Sequence, residues 1–209
     1  MEPSPIADKI MEFTLRHIPF DGWTVEALKR GAVDADVNPH EAFELFGNDP
    51  LTLIEYYSHM LDRQMRDKVL QLDLNTMKIR DKVLTCLMTR LEIMAPYREA
   101  AQKAAVILSM PLNVPLGTKL MYKTVDTIWV LAGDTSTDFN FYTKRATLSA
   151  VYASTLLYWF RDMSSEFTNT RAFLNRRLDN VMAIPKIKSQ IKDAFKFVSK
   201  PLRSFFGKE

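Results

Sequence analysis

Apolar residues recur at intervals of three and four positions along almost the whole chain. This spacing matches one face of an α-helix, and the alternation typical of half-buried β-strands is nowhere sustained. The 209 residues include only 6 glycines, which is few for the many tight turns of an all-β fold. The sequence therefore predicts an all-α protein, and its length is sufficient for one hydrophobic core.

Breaks in this spacing divide the chain into about nine helices. We expect the helices at residues 6–18, 24–33, 39–46, 51–71, 76–94, 97–109, 113–132, 139–162 and 166–183. Pro19 should end the first helix, because proline interrupts helical hydrogen bonding. Thr24 and Asn38 are suited to cap the second and third helices, since short polar side chains accept hydrogen bonds from first-turn amides.

We interpret the helices as three units. Residues 1–50 form a vestigial helix-turn-helix unit, residues 51–184 a helical bundle, and residues 185–209 a terminal amphipathic helix. Residues 185–209 contain seven basic and two acidic residues, a net charge of +5 in a chain whose total is +3. On a helical wheel their apolar side chains form one stripe and most of their lysines lie opposite, as in helices that lie in a membrane interface.

The terminal helix is therefore expected to bind the membrane. The residues assigned to this contact are Ile187, Lys188, Ile191, Lys192, Phe195, Lys196, Val198, Leu202 and Phe205. The alternative is a terminal helix that packs on its own bundle or on a partner, as most amphipathic helices do. The almost purely cationic polar face favours the membrane.

Residues 24–59 have the order of a DNA-binding helix-turn-helix unit, with a helix, a turn, a short helix and then a long helix. A ligand-responsive transcriptional repressor of the TetR type is therefore an alternative function. Residues 24–50, however, contain two basic and six acidic residues, a net charge of −4. Phosphate contacts supply most of the non-specific affinity for DNA, and the expected recognition helix carries Glu41 and Glu44 without lysine or arginine. We therefore expect no binding to nucleic acid.

The residue types that catalysis or metal binding would require are scattered along the chain. The three histidines have no companions at the spacing of metal ligands, and the single cysteine, Cys86, lies in an apolar run. The sequence has neither a glycine-rich phosphate loop nor a nucleophile elbow. We expect no catalytic residues, no metal and no cofactor.

A lipid-binding pocket, in contrast, needs mainly apolar side chains between helices. The residues expected to line such a pocket are Leu84, Leu87, Leu91, Met94, Leu120, Met121, Val125, Trp129, Leu148, Tyr152 and Leu156. An ordinary filled core has the same pattern, and the sequence does not separate the two. The 11 methionines slightly favour an adaptable cavity.

Residues 133–151 read GDTSTDFNFYTKRATLSAV, which resembles the signature of the accessory family of coenzyme Q (ubiquinone) biosynthesis. Further agreement is found in HIPFDGWT (17–24), IRDKVLTCLMTRLEIMAPYREA (79–100), AVYASTLLYWFRD (150–162) and FLNRRLDNVM (173–182). The resemblance implies a TetR-like fold and a pocket for isoprenoid quinone intermediates. It also implies a partner, the di-iron hydroxylase that acts late on the quinone ring, and a homodimer formed through the last two helices of the body.

The signature segment contains the residues expected to bind this partner, which are Asp134, Phe141, Tyr142 and Arg145. By resemblance, Phe141 and Tyr142 lie in the family's aromatic contact patch, where some members have Trp in place of Phe141. Because the aromatic side chains at positions 139, 141 and 142 cannot all face one core, at least one should be exposed. Asp134 and the polar residues after it are also suited to cap a helix.

The expected location follows from two further observations. No run of about 20 apolar residues is present that could span a bilayer, and residues 1–10 do not resemble a leader peptide. We therefore predict a bacterial, cytoplasmic protein that is peripheral on the inner face of the cytoplasmic membrane. A lipid-binding accessory protein for quinone hydroxylation is favoured over a TetR-type repressor and over an enzyme that acts on a quinone intermediate.

Overall fold

A computed structural model describes residues 3–137 and 139–181, without the side chain of Phe139. Its helices are α1 (Pro5–Asp21), α2 (Val25–Asp34), α3 (Pro39–Phe46), α4 (Pro50–Val69), α5 (Ile79–Met94), α6 (Arg98–Leu108), α7 (Val114–Leu131), α8 (Phe139–Trp159) and α9 (168–181). The described ranges contain no β-strand. The predicted all-α class and the count of about nine helices are confirmed.

The starts of the second and third helices are fixed by the predicted capping side chains. The Thr24 hydroxyl accepts a hydrogen bond from the Ala27 amide at 3.2 Å. The Asn38 side chain accepts one from the His40 amide at 2.9 Å. Both interactions satisfy amides that have no partner within the helix itself.

The first helix was expected to end near Pro19, and α1 ends two residues further on, at Asp21, with Pro19 inside it. Proline removes only one backbone donor, and its fixed φ angle is compatible with a helix. The Lys103 ammonium donates hydrogen bonds to the carbonyls of Ile18, at 3.2 Å, and Pro19, at 2.5 Å. Gly22, with a φ of 70° that favours glycine, then ends the helix.

Helices α1, α2 and α3 pack together and share one hydrophobic core with the rest of the described chain. The backbones of α1 and α2 approach closely at Gly31. A Cβ atom at this position would lie 2.2 Å from the Thr14 hydroxyl oxygen. The Trp23 indole N–H donates to the Ala100 carbonyl at 3.0 Å, which ties the loop between α1 and α2 to α6. The division of the chain at residue 50 stays a prediction.

The remaining helices form a bundle in which α4 packs against α5 and α7, and α7 packs against α8. Helix α5 begins three residues later than predicted, because Leu74–Thr76 form a separate short 3-10 helix capped by Asp73. Gly133, at a φ of 84°, follows the end of α7. The membrane-contact residues from Ile187 to Phe205 lie outside the described residues, so their assignment stays a prediction.

Candidate functional site

A cavity of about 100 Å³ lies between α4, α5, α6, α7 and α8. Five residues that the sequence assigned to a lipid pocket line it, and these are Met94, Leu120, Met121, Tyr152 and Leu156. Most of the remaining wall is apolar, with Ile54, Leu61 and Leu108 among its side chains. The space left between the helices is therefore lined mainly by hydrocarbon.

The other six assigned residues do not line this cavity. Leu87, Leu91, Val125 and Leu148 are buried in the hydrophobic core, whereas Leu84 and Trp129 are partly buried and pack against it. The structure thus places these six as packing residues around the cavity rather than in its wall. Their assignment to lipid binding stays a prediction.

The cavity also has a polar side that the sequence analysis did not predict. Arg90 on α5 is only 4% exposed, and its guanidinium donates to the Asp62 carboxylate at 2.5 Å and to the Tyr152 hydroxyl at 2.8 Å. The Thr124 hydroxyl donates to the second oxygen of Asp62 at 3.2 Å. Burial of this ion pair is tolerable because both charges are paired and hydrogen-bonded.

One sequence signal could have identified the ion pair. Asp62 lies on the apolar stripe of α4, next to Leu61 and three positions before Met65. Arg90 lies on the apolar stripe of α5, three positions after Leu87 and four before Met94. Charged residues are rarely fully buried unless they are paired, so two of opposite sign on buried stripes suggest a buried pair.

Tyr57 is the second unexpected group in the cavity wall. It is only 3% exposed, and its hydroxyl has no hydrogen-bond partner among the residues that the structure describes. Burial raises the pKa of Tyr57, although the positive charge of Arg90 opposes this effect. Burial likewise raises the pKa of Tyr152. Both phenols therefore stay neutral near pH 7 and keep a proton to donate.

A second group of predicted residues lies where α7 ends and α8 begins. The guanidinium of Arg145 donates to Asp126 at 2.7 Å and to Asp134 at 3.3 Å. Its central carbon lies 3.4 Å from the centroid of the Phe141 ring. The Phe141 ring in turn contacts the Tyr142 ring edge-on, with their centroids 5.2 Å apart.

The structure brings the four predicted partner-binding residues into one region but gives them different roles. Tyr142 is 65% exposed, so the expectation of at least one exposed aromatic residue is confirmed. Phe141 is half-buried. The side chains of Asp134 and Arg145 are buried and paired with each other, and the assignment of all four residues to partner binding stays a prediction.

Asp134 forms the centre of this arrangement. Its carboxylate accepts hydrogen bonds from the Lys144 ammonium at 2.7 Å and from the Ser136 hydroxyl at 2.8 Å. Burial alone would raise the pKa of Asp134, but the hydrogen bonds from Lys144 and Ser136 outweigh it and lower the pKa to about 2. The carboxylate is therefore charged at all physiological pH values.

Other kinds of site were sought in the same part of the chain. No group of three or more His, Cys, Asp or Glu side chains that could hold a metal ion occurs among the described residues. None of the described helices combines the length and apolar character needed to cross a membrane.

The class of fold is shown by comparison with solved structures. The chain matches the crystal structure of a TetR transcriptional regulator from Nitrosomonas europaea with a TM-score of 0.68 and 20% sequence identity. The match covers 84% of this chain and 97% of the other. The protein therefore has the TetR-like all-helical fold that the resemblance implied.

Sequence comparison shows which proteins of known name the chain resembles. The model of the COQ9 family matches residues 114–185. The protein named ubiquinone biosynthesis protein COQ9, mitochondrial, is 34% identical in Rattus norvegicus over 196 residues, which cover 90% of this chain and 62% of that protein. The Homo sapiens protein of the same name is 34% identical over 191 residues, which cover 88% of this chain and 60% of that protein. The predicted resemblance is thus confirmed, and the chain is a homologue of the COQ9 proteins.

The chain spans about three fifths of the length of these curated relatives. The relatives named here are mitochondrial proteins of animals. The bacterial source and the cytoplasmic location expected for this chain stay predictions.

Proposed function

We propose that this protein is a non-catalytic, lipid-binding accessory protein of ubiquinone biosynthesis, which takes isoprenoid quinone intermediates from a membrane and presents them to a ring hydroxylase. The single observation that carries the proposal is the homology to proteins named for ubiquinone biosynthesis over about nine tenths of the chain. The apolar cavity and the exposed aromatic patch supply the physical means for each step.

The cavity supports lipid binding because its wall is mostly hydrocarbon. Its volume of about 100 Å³ is below the roughly 300–1,000 Å³ of typical ligand sites. A complete prenylated quinone therefore requires displacement of wall side chains. Met94 and Met121 in the wall are suited to such adaptation, because methionine has flexible, unbranched side chains.

Uptake from the membrane is assigned to the cationic terminal segment, residues 185–209. Its net charge of +5 favours an anionic lipid surface, at about 1 kcal/mol for each lysine or arginine near the surface. The test is deletion of residues 186–209, followed by sedimentation with vesicles that contain phosphatidylglycerol. Vesicle binding should fall sharply, and undiminished binding would remove the segment from the mechanism.

Presentation to the hydroxylase is assigned to Tyr142 and Phe141. Tyr142 offers an exposed aromatic ring, and Phe141 is held beneath it by the stack with Arg145. Tyrosine is enriched among residues that dominate binding energy at protein interfaces. A di-iron hydroxylase of the quinone ring is the partner we propose for this patch.

The decisive experiment is mass spectrometry of lipids that co-purify with the intact protein. Prenylated quinone intermediates should be enriched over their share in the membrane lipids. Leu156→Trp, which would fill the cavity, should reduce their amount. Val130→Trp is a control, because Val130 on α7 is 63% exposed and does not line the cavity. A lipid profile identical to that of bulk membrane would contradict the proposal.

A TetR-type repressor is the second candidate, and the fold similarity to a transcriptional regulator favours it. The charge distribution opposes DNA binding. Residues 24–50 have a net charge of −4, and Glu41 and Glu44 on α3 are exposed. A gel shift with DNA from the neighbouring genomic region should show no complex at low salt. A specific, salt-dependent shift would instead support the repressor.

A homodimer formed through α8 and α9 remains part of the proposal. Leu157 on α8 is exposed and apolar, as an interface residue would be in a single chain. Sedimentation equilibrium of the wild type and of Leu157→Glu tests this, since a charge at the interface should shift the protein toward the monomer.

A further inference from the structure

The Tyr57 hydroxyl differs from the other buried polar groups that lack a partner. Four described side chains have a buried oxygen or nitrogen atom without a hydrogen-bond partner in the described structure, namely Asp21, Tyr57, Trp129 and Trp159. Of these four, Tyr57 alone lies in the cavity wall. Buried polar groups are nearly always hydrogen-bonded, so an unpaired donor on a residue of a cavity wall indicates a ligand that accepts its hydrogen bond.

The groups near Tyr57 form one polar cluster rather than scattered contacts. Arg90 donates to Asp62 and Tyr152 and makes a long contact of 3.4 Å with the Ser58 hydroxyl. Among the described residues, these bonds engage three of the five N–H groups that a guanidinium carries. The cluster therefore places a neutralised ion pair, whose guanidinium keeps two N–H groups without a partner among the described residues, and a phenol donor in the cavity wall.

Most of the remaining cavity wall is apolar. Leu108 on α6, Met121 on α7 and Phe160 after α8 belong to it. The volume of about 100 Å³ can be compared with an engineered apolar cavity of about 150 Å³ that holds benzene. The space matches a single ring better than a long chain.

We infer that the cavity binds an oxygen-bearing aromatic ring, a quinone or a phenol, with its oxygen toward Tyr57 and Arg90. The inference rests on the proposed function for the identity of the ligand. It adds the orientation of the ring, called the head of the lipid below, and the residues that recognise it.

Two small ring compounds test recognition of the head in the full-length protein. The first is 2,3-dimethoxy-5-methyl-1,4-benzoquinone, which has the oxygens but no chain, and the second is toluene, which has neither. Tyr57→Phe removes only the hydroxyl and should weaken binding of the quinone about fivefold, the effect of one ordinary hydrogen bond. Toluene binding should not change. Titration calorimetry measures the quinone, and ligand-observed NMR measures toluene.

Tyr158→Phe is the matched control, because Tyr158 stacks on Phe173 outside the cavity wall. It should leave the binding of both compounds unchanged. Tyr57→Phe should also be at least as stable as the wild type, since it removes a buried hydroxyl without a partner. Misfolding therefore does not account for weaker binding. Unchanged quinone affinity in Tyr57→Phe, or an equal loss for toluene, overturns the recognition of the head.

The outcomes also separate this inference from the proposed function. Enriched quinone lipids in wild type, together with ring affinity that does not depend on Tyr57, leave the proposed function intact and overturn the orientation. Tyr57-dependent ring binding without any enrichment of prenylated quinones supports the ring site and contradicts the proposed function.

Discussion

Arg145 and Phe141, one turn apart on α8, are stacked, with the guanidinium carbon 3.4 Å from the centroid of the ring. The same guanidinium binds Asp126 and Asp134, so it is fixed on two sides. A ring that rests on a fixed cation loses little conformational freedom when a partner binds. The exposed Tyr142 contacts this ring, and the aromatic pair is therefore pre-organised by the buried charges of Arg145 and Asp134.

Replacement of Arg145 should destabilise the protein strongly. Arg145→Leu leaves the buried carboxylate of Asp134 without one of its charge partners, and loss of one member of a buried pair costs about 3–5 kcal/mol. Urea unfolding followed by circular dichroism measures this difference. Arg171→Leu is the control, because the pair of Arg171 with Glu92 is exposed at the surface and should contribute less than about 1 kcal/mol. A similar decrease in the free energy of unfolding for Arg145→Leu and Arg171→Leu would contradict a special role of the buried pair.

Tyr142→Ala should separate partner binding from stability. The exposed ring contributes little to the core, so the free energy of unfolding should change by less than about 0.5 kcal/mol. Binding to the hydroxylase should weaken by at least tenfold if Tyr142 is an interface anchor. Surface plasmon resonance with the purified hydroxylase measures this. Tyr122→Ala, at another exposed tyrosine on α7, should bind as the wild type does, and equal losses would argue against a specific patch.

Asp134 should contribute to the acid sensitivity of the fold. Its pKa in the folded protein is about 2 compared with an ordinary value of 3.8. Because the folded value is the lower one, the stabilisation is fully present above about pH 5 and is lost as the pH falls toward 2. The shift corresponds to about 2 kcal/mol.

Urea unfolding at several pH values between 5 and 2 tests this contribution. Between pH 5 and pH 2, the free energy of unfolding of Asp134→Asn should fall by about 2 kcal/mol less than that of the wild type. This difference does not depend on the stability of the variant at pH 7. Asp162, whose pKa is also lowered to about 2, should keep part of the acid dependence in this variant. Asp67→Asn, at an exposed position, should show the same pH dependence of the free energy of unfolding as the wild type. The same pH dependence in Asp134→Asn would contradict a contribution of Asp134.

Gly31→Ala should destabilise the packing of α1 on α2. In an open helix this change would stabilise by about 1 kcal/mol. Here the added Cβ would lie 2.5 Å from the Thr14 amide nitrogen and 2.6 Å from its Cα, and these backbone atoms move only with α1. We expect the free energy of unfolding to fall by about 2 kcal/mol, which is within the usual range for overpacking. Thermal unfolding measures it, with Val33→Ala on the exposed side of α2 as a nearly neutral control. A stabilised Gly31→Ala protein would exclude the close approach.

The cavity could be predicted from the sequence only in part. Five of the eleven residues assigned to a lipid pocket line it, because spacing along a helix shows which side chains point inward. The space between those side chains depends on how neighbouring helices cross and how their volumes fit. The position of Arg90 on an apolar stripe could have indicated a buried ion pair, but nothing local to Tyr57 or Arg90 shows that both residues line the same cavity.

The sequence by itself determined the all-helical fold, the caps at Thr24 and Asn38, and the need for one exposed aromatic residue near Tyr142. These features follow from the helical period and from local hydrogen bonding, which act over a few residues. Only the tertiary structure decided that Arg90 pairs with Asp62, 28 positions away, and with Tyr152, 62 positions away. It also decided that Asp134 and Arg145 are buried. Such contacts depend on which helix faces meet, and the period of a single helix carries no information about its neighbours.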